Sequence, residues 1–135
     1  MRQTKSKIFN LYLELEKNTE KFVQQILVRG FKLIDIGSYK SIYSKNKLGY
    51  VIKVANSLND EFSDLPSKLT KFYIKPYYID ERIVIQKKAD TANCKKAFKQ
   101  IANKIGNKNC ERYDVHPLNC GHLNNKPVLF DFAEI

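Results

Sequence analysis

The residues best suited to chemistry lie late in the sequence, in the segments DVHPLN and DFA. Asp114 and Asn119 are five positions apart in a polar segment, and Asp131 follows the apolar run from Val128 to Phe130. Mg²⁺ prefers hard oxygen ligands such as carboxylates and amide oxygens, and phosphates and water complete its coordination. A further carboxylate can orient an acceptor hydroxyl and take its proton. These side chains therefore indicate phosphoryl transfer, which depends more on positioning and charge neutralisation than on covalent chemistry.

The two segments resemble the catalytic motifs of protein kinases, H-R-D-x-x-x-x-N followed by D-F-G. Asp114 matches the catalytic aspartate and Asn119 matches the asparagine, while Asp131 with Phe132 and Ala133 matches D-F-G. The resemblance implies that Asp114 is the catalytic base and that Asn119 and Asp131 are magnesium ligands. The D-x-H-P-x-N pattern is more similar to that of small-molecule and atypical kinases, such as aminoglycoside or choline kinases.

Segments further upstream resemble other kinase motifs in the same order. IDIGSYKSIYS resembles a degenerate glycine-rich loop, which makes Gly37 and Ser38 candidate contacts to ATP phosphates. YVIKVA resembles the third kinase strand, so Lys53 would hold the phosphates and Glu61 would pair with it. Gln86 lies where the hinge of a kinase contacts the adenine ring. The resemblance therefore implies ATP and Mg²⁺ as cofactors.

The pattern of apolar residues predicts an α+β fold. Apolar residues recur every three to four positions over residues 5–28, which assigns residues 1–29 to one amphipathic N-terminal helix. From Phe31 onward, alternating apolar residues predict a three-stranded meander, and FYIKPYYID and RIVIQKKAD predict two further strands. A helix is expected over residues 92–105, followed by a loop and a hairpin that turns at Asn124–Asn125.

Together with the resemblance, this order of elements predicts a minimal protein-kinase-like fold over residues 30–135. A five-stranded antiparallel N-lobe sheet would occupy residues 30–90, and a truncated C-lobe with one helix and the catalytic loop and hairpin would occupy residues 91–135. No activation segment follows Ala133 in this sequence. We therefore expect a reduced substrate platform, with the N-terminal helix or a second copy of the chain, as a homodimer, covering the exposed face.

Composition narrows the class of protein and its location. The sequence has 135 residues, of which 43% are hydrophobic and 28% charged, as is typical of one globular domain. Acidic residues in LYLELEKNTE interrupt any signal-like apolar segment, and no apolar run approaches the roughly 18 residues of a membrane span. We expect a cytoplasmic protein without a membrane partner. Short chains rich in Lys and Asn are similar to viral or phage proteins, which would place this one in the host cytoplasm.

The net charge of +10 favours anionic partners. The lysines are spread along the chain, as is typical of a solvated surface, and no aromatic-basic recognition module is visible. We therefore expect a nucleotide and an unknown protein or small-molecule acceptor as partners, rather than nucleic acid. Three functions stay open. They are a phosphotransferase of the serine/threonine protein kinase-like type, a pseudokinase acting as a binding or inhibitory module, and a basic nucleic-acid-binding protein.

Overall fold

The computed structural model describes residues 2–37, 39–56 and 65–132. For residues 2–6 the description is limited to the backbone. Along the described ranges, two α-helices come first, followed by five strands, two further α-helices and a final pair of strands. The helices are α1 Arg2–Glu14, α2 Thr19–Val28, α3 Cys94–Ile105 and α4 Asn107–Arg112, with short 3-10 helices at Ser67–Leu69 and Pro117–Asn119. The strands are β1 Lys32–Ile36, β2 Lys40–Ser44, β3 Tyr50–Ala55, β4 Tyr78–Ile79, β5 Ile83–Lys87, β6 Cys120–Leu123 and β7 Lys126–Leu129.

The chain divides into two compact units, each with a hydrophobic core of its own. The first, called here the sheet unit, comprises Met1–Phe62 and Pro76–Lys88. The second, called the hairpin unit, comprises Ser63–Lys75 and Ala89–Ile135. The predicted domain limits at residues 29 and 90 stay predictions.

Two helices precede the sheet, so the prediction of a single helix over residues 5–28 is wrong. The chain leaves the helical conformation at Glu16 and Lys17, whose φ angles of 56° and 58° lie in the left-handed region. Asn18 then begins α2, because its side chain accepts a hydrogen bond from the backbone N–H of Lys21 at 3.1 Å. Both helices contribute buried side chains to the same core. These are Ile8, Tyr12, Phe22 and Ile26.

The predicted five-stranded antiparallel sheet is confirmed and has the order β1-β2-β3-β5-β4. β3 is its central strand. The predicted strand FYIKPYYID was too long, since only Tyr78–Ile79 joins the sheet. Pro76 interrupts the segment because it has no N–H to donate. Upstream of it, Tyr73 forms an isolated bridge with Leu129 inside the hairpin unit.

Alternate residues of β3 point to opposite faces of the sheet. Tyr50, Ile52 and Val54 belong to the core that includes the buried side chains of α1 and α2. Lys53 and its neighbours at positions 51 and 55 therefore lie on the other face. This alternation separates the predicted phosphate contact from the helix-covered core.

The hairpin unit contains two helices rather than the single helix predicted. α3 ends at Gly106, as expected, and Gly106 has a φ of 86°, which lets the chain turn sharply and begin α4. α4 was predicted as a loop because it has only six residues, too few for a clear apolar rhythm. The predicted hairpin turn is confirmed, with Asn124 and Asn125 at φ angles of 50° and 65° between β6 and β7.

A search of the helices in the described part of the chain finds none with the length and apolar character needed to cross a bilayer.

Gly121 offers a sharp test of packing in the hairpin unit. A Cβ atom on Gly121 would lie 2.6 Å from the carbonyl oxygen of Asp90, on a segment that pairs with His122 through two backbone hydrogen bonds. We expect Gly121→Ala to lower the free energy of unfolding by about 1–3 kcal/mol, because the backbone must shift. Gly37→Ala is the matched control, since its Cβ would lie at an ordinary 3.5 Å from its nearest neighbour. Urea denaturation measures the free energy of unfolding of both variants. Equal losses would contradict the close approach of Gly121 to the carbonyl oxygen of Asp90.

Candidate functional site

The predicted metal ligands Asn119 and Asp131 lie on neighbouring segments of the hairpin unit. In the β6–β7 ladder, Cys120 is opposite Leu129. The ladder continues one step further, because the N–H of Phe130 donates to the carbonyl oxygen of Asn119 at 3.0 Å. Asp131 is the next residue. The hairpin therefore brings together two side chains that are separated by eleven residues in the sequence.

The side chain of Asn119 is held by the loop that precedes it. Asn119 is 8% exposed, and its Nδ2 donates to the carbonyl oxygen of Asp114 at 2.8 Å. The same nitrogen lies 3.1 Å from Nε2 of His116, which accepts when that ring nitrogen carries no proton. These two contacts use the nitrogen of the amide group and not its oxygen. That oxygen is the atom a magnesium ion would use.

Asp114 directs its carboxylate towards His116 and solvent. Its φ of 54° is left-handed, a conformation that Asp tolerates better than most residues. Its side chain is 47% exposed, and Oδ2 lies 3.7 Å from Nε2 of His116. A carboxylate in this position is accessible to an acceptor molecule, as a general base must be.

His116 is the residue that sequence reasoning undervalued. It was part of the D-x-H-P-x-N pattern but was not among the predicted site residues, yet it contacts Asn119 and lies beside Asp114. The available signal was the two-residue spacing to Asp114, just before the 3-10 helix Pro117–Asn119. His116 is therefore a positioning residue for the candidate site.

Asp131 is fixed at the exit of the hairpin. Its Oδ1 accepts a hydrogen bond from the N–H of Phe132 at 2.9 Å. The ring of Phe132 packs edge-on against Tyr73, with centroids 5.5 Å apart. The carboxylate of Asp131 and the amide oxygen of Asn119 are both hard oxygen donors, so the chemistry of this pair fits Mg²⁺. In the described ranges no three His, Cys, Asp or Glu side chains form a metal cluster, so phosphates and water would have to complete the coordination.

The sheet unit holds Lys53 at its centre. Lys53 is only 2% exposed and shares its face of β3 with Val51 and Ala55. The residues opposite it on the neighbouring strands are Ile42 and Val84. Burying an ammonium group among apolar side chains is costly unless charged or polar atoms compensate it. This burial distinguishes Lys53 from the many surface lysines of the chain.

Two further predicted contacts lie in the sheet unit. Gln86 is fully buried and lies opposite Val51, on the same face as Lys53. Gly37 occupies the turn between β1 and β2, where its N–H donates to the carbonyl oxygen of Lys40 at 2.8 Å. The predicted contacts Ser38 and Glu61, and Ala133 of the D-F-A motif, lie outside the described residues.

Asn56 is a second residue that sequence reasoning missed. Its Nδ2 donates to the carbonyl oxygen of Gly37 at 2.8 Å, and its backbone N–H donates to that of Tyr39 at 2.9 Å. Ser41 Oγ in turn donates to Asn56 Oδ1 at 2.6 Å. Asn56 thus ties the turn of the predicted glycine-rich loop to the end of β3. No local signal could have found it, because nineteen positions separate it from Gly37.

The three cysteines are free thiols, and two of them are buried. Burial raises the pKa of Cys120 to about 12, and the neighbouring Cys110 and Cys94 add to this effect. Burial, assisted by Glu111, also raises the pKa of Cys110. Both thiols are therefore protonated at neutral pH and are poor nucleophiles.

Comparison with known proteins finds no match for this chain among protein-family models, curated proteins or solved structures. The kinase resemblance stays a hypothesis that depends on the motifs and on the geometry within each unit.

The structural role of Asn119 can be separated from its predicted metal role. Asn119→Asp keeps an oxygen for magnesium but replaces the donor nitrogen, so the carbonyl oxygen of Asp114 loses its partner. We expect the free energy of unfolding to fall by about 1–3 kcal/mol in urea at pH 8 without added metal. Asn107→Asp is the control, because Asn107 is exposed and lies in the same unit. This substitution should change the free energy of unfolding by less than about 0.5 kcal/mol. Equal values for the two variants would show that the Asn119 hydrogen bonds contribute nothing.

The raised pKa of Cys120 predicts a loss of stability at alkaline pH. The unfolded thiol ionises from its ordinary value of 9.0, whereas the folded thiol stays protonated until about 12. The contribution of the protonated Cys120 thiol to the free energy of unfolding is therefore complete below pH 9 and is lost as the pH rises towards 12. Between pH 10 and 11 the free energy of unfolding of the wild type should fall by about 1.4 kcal/mol per pH unit more than that of Cys120→Ala. Urea denaturation across this range provides the measurement. Cys94→Ala should behave like the wild type, and parallel curves for wild type and Cys120→Ala would refute the assignment.

Proposed function

We propose that this chain is a kinase-like protein that binds ATP with Mg²⁺ and transfers a phosphoryl group. The observation that carries the proposal is the backbone hydrogen bond from Phe130 to Asn119, which brings the two predicted magnesium ligands onto adjacent segments. Both ligands supply oxygen atoms, and both belong to motifs in kinase-like order.

In this proposal the hairpin unit supplies the metal ligands and the base. Asn119 and Asp131 would hold the magnesium ion through their oxygen atoms, and the bound ion would neutralise phosphate charge. Asp114, whose carboxylate is accessible, would orient the acceptor hydroxyl and accept its proton. His116 would help to position Asn119 through the contact between its Nε2 and the amide nitrogen.

The sheet unit would supply the nucleotide contacts. Lys53 is a buried cation, and phosphate oxygens are a suitable anionic partner for its ammonium group. Its apolar neighbours Val51 and Val84 and the buried amide of Gln86 suit a purine ring, which needs apolar contact and a few hydrogen bonds. Gly37 would let the turn backbone approach the phosphates. The roles of Ser38 and Glu61 remain as the motif implies.

A pseudokinase is the second candidate, and the turn between β1 and β2 favours it. This turn contains one glycine, Gly37, with Asp35 and Lys40 at the positions of the other two. Fewer glycines limit how closely a backbone can approach phosphates. A protein of this kind would bind a nucleotide or a partner without turnover.

ATP binding tests the nucleotide site. We expect calorimetry to show Mg²⁺-dependent ATP binding that weakens by about tenfold or more in Lys53→Met and in Asp131→Asn, because each loses a charge-assisted contact. Lys88→Met, which removes an exposed lysine at the end of the same sheet, should bind like the wild type. Absence of ATP binding, or an equal loss in the Lys88 control, would overturn the proposal.

Turnover distinguishes the two candidates. In the enzyme, Asp114→Asn should keep ATP affinity but lower phosphate release or self-phosphorylation by about 100-fold or more, because it removes only the base. ATP binding by clean wild-type protein with no phosphoryl transfer to water, to itself or to added acceptors would favour the pseudokinase.

A further inference from the structure

A cavity of about 330 Å³ lies within the sheet unit, where the first half of α2 faces β2 and β3. The described residues that line it are Thr19, Glu20, Val23, Gln24, Ser41, Tyr43, Val54, Ala55 and Asn56. Tyr43 and Val54 belong to the core shared with α2, on the face of the sheet opposite Lys53. Ala55, on the Lys53 face, also lines the cavity, but the described lining includes none of the nucleotide contacts proposed above.

The lining combines an apolar floor with a polar rim. Val23, Val54 and the ring of Tyr43 form the apolar part, and Tyr43 and Val54 are only 8% and 3% exposed. The polar residues of the described lining are Thr19, Glu20, Gln24, Ser41 and Asn56, whose side chains carry hydroxyl, amide or carboxylate groups. Small-molecule sites combine these features, an apolar surface for contact and a few polar groups for orientation, and this volume is at the lower end of their range.

The charge of the cavity is opposite to that of the chain. Glu20 is the only side chain among the described lining residues that is charged at neutral pH, and none of them is Lys or Arg. The whole chain carries a net charge of +10. A phosphate would meet a carboxylate here, whereas an ammonium group would find a counter-ion and several oxygen acceptors.

We propose that this cavity binds a small organic cation, a primary ammonium group on a short apolar body. The ammonium group pairs with Glu20 and donates to the oxygen atoms of the rim, and the apolar body contacts Val23, Val54 and Tyr43. The inference does not rest on the proposed nucleotide function.

Binding in this cavity also reaches the turn at Gly37. Ser41 and Asn56 line the cavity, and Ser41 Oγ donates to Asn56 Oδ1 at 2.6 Å. Asn56 Nδ2 donates to the carbonyl oxygen of Gly37 at 2.8 Å. A ligand that competes for these groups changes the hydrogen bonding of the turn, so the amide signals of Gly37 and Lys40 should respond along with the lining.

Nuclear magnetic resonance titration of the full chain with 2-phenylethylamine tests the site. We expect saturable shifts of the backbone amides of α2 and of Ser41, Val54 and Asn56, with smaller shifts at Gly37. 3-Phenylpropionate, of similar shape but negative charge, should give no saturable shift at these positions. Glu20→Gln should weaken amine binding by about fivefold, the size expected for an exposed ion pair. Glu14→Gln, an exposed carboxylate on α1 outside the cavity, should leave it unchanged.

Three results would overturn the inference. They are no saturable shift at the lining residues at millimolar amine, equal shifts with the carboxylate, and equal amine affinity in wild type and Glu20→Gln. Because Glu20 is exposed, its substitution does not threaten the core, so each result bears on binding rather than on folding. ATP binding by the same samples reports separately on the nucleotide proposal.

Discussion

The backbone hydrogen bond from Phe130 to Asn119 is the interaction on which the candidate site depends. It extends the β6–β7 ladder by one step and sets Asp131 immediately after the paired residue. The neighbouring pair of the ladder, Cys120 and Leu129, is fully buried in the core of the hairpin unit and so fixes the position of this hydrogen bond. Side chains that the sequence separates are thus brought together by a short hairpin, whose own turn needs the left-handed residues Asn124 and Asn125.

Asn119 has a structural role in its loop in addition to the metal-binding role proposed for it. Its nitrogen stabilises the loop by donating to the carbonyl oxygen of Asp114, while its oxygen takes no part in that hydrogen bond. A turn-forming role and a metal-binding role are therefore compatible here. This matters for the motif, because Asp and Asn are common in loops for local hydrogen bonding alone. The geometry within the hairpin unit adds what spacing lacks: the relation of Asn119 to Asp131.

Local signals sufficed for the parts of the fold where one segment determines its own conformation. The meander, α3 with its stop at Gly106 and the turn at Asn124–Asn125 were predictable from alternation, rhythm and turn residues. The break between α1 and α2 was not, because Glu16 and Lys17 carry no preference for the left-handed region and the apolar rhythm continues across it. The contacts of Asn56 were also beyond local reasoning, since they depend on which segments pack together. Those of His116 are local, and its spacing to Asp114 was a signal that could have been used. The sequence could name residues for a site, whereas their orientation required the structure.

The pleat of β3 places two chemically opposite environments on one strand. Lys53 lies on one face of the strand, and Val54, which lines the cavity together with Glu20, lies on the other. The overall positive charge favours anions everywhere and cannot by itself select between these faces. The two proposals therefore depend on the local lining, which includes the buried Lys53 on one face and, among the described residues that line the cavity, Glu20 as the charged side chain. Asn56 follows β3 directly and bonds to the Gly37 turn. A ligand in the proposed cavity would therefore be linked, through the hydrogen bonds Ser41–Asn56 and Asn56–Gly37, to the turn predicted to contact phosphates.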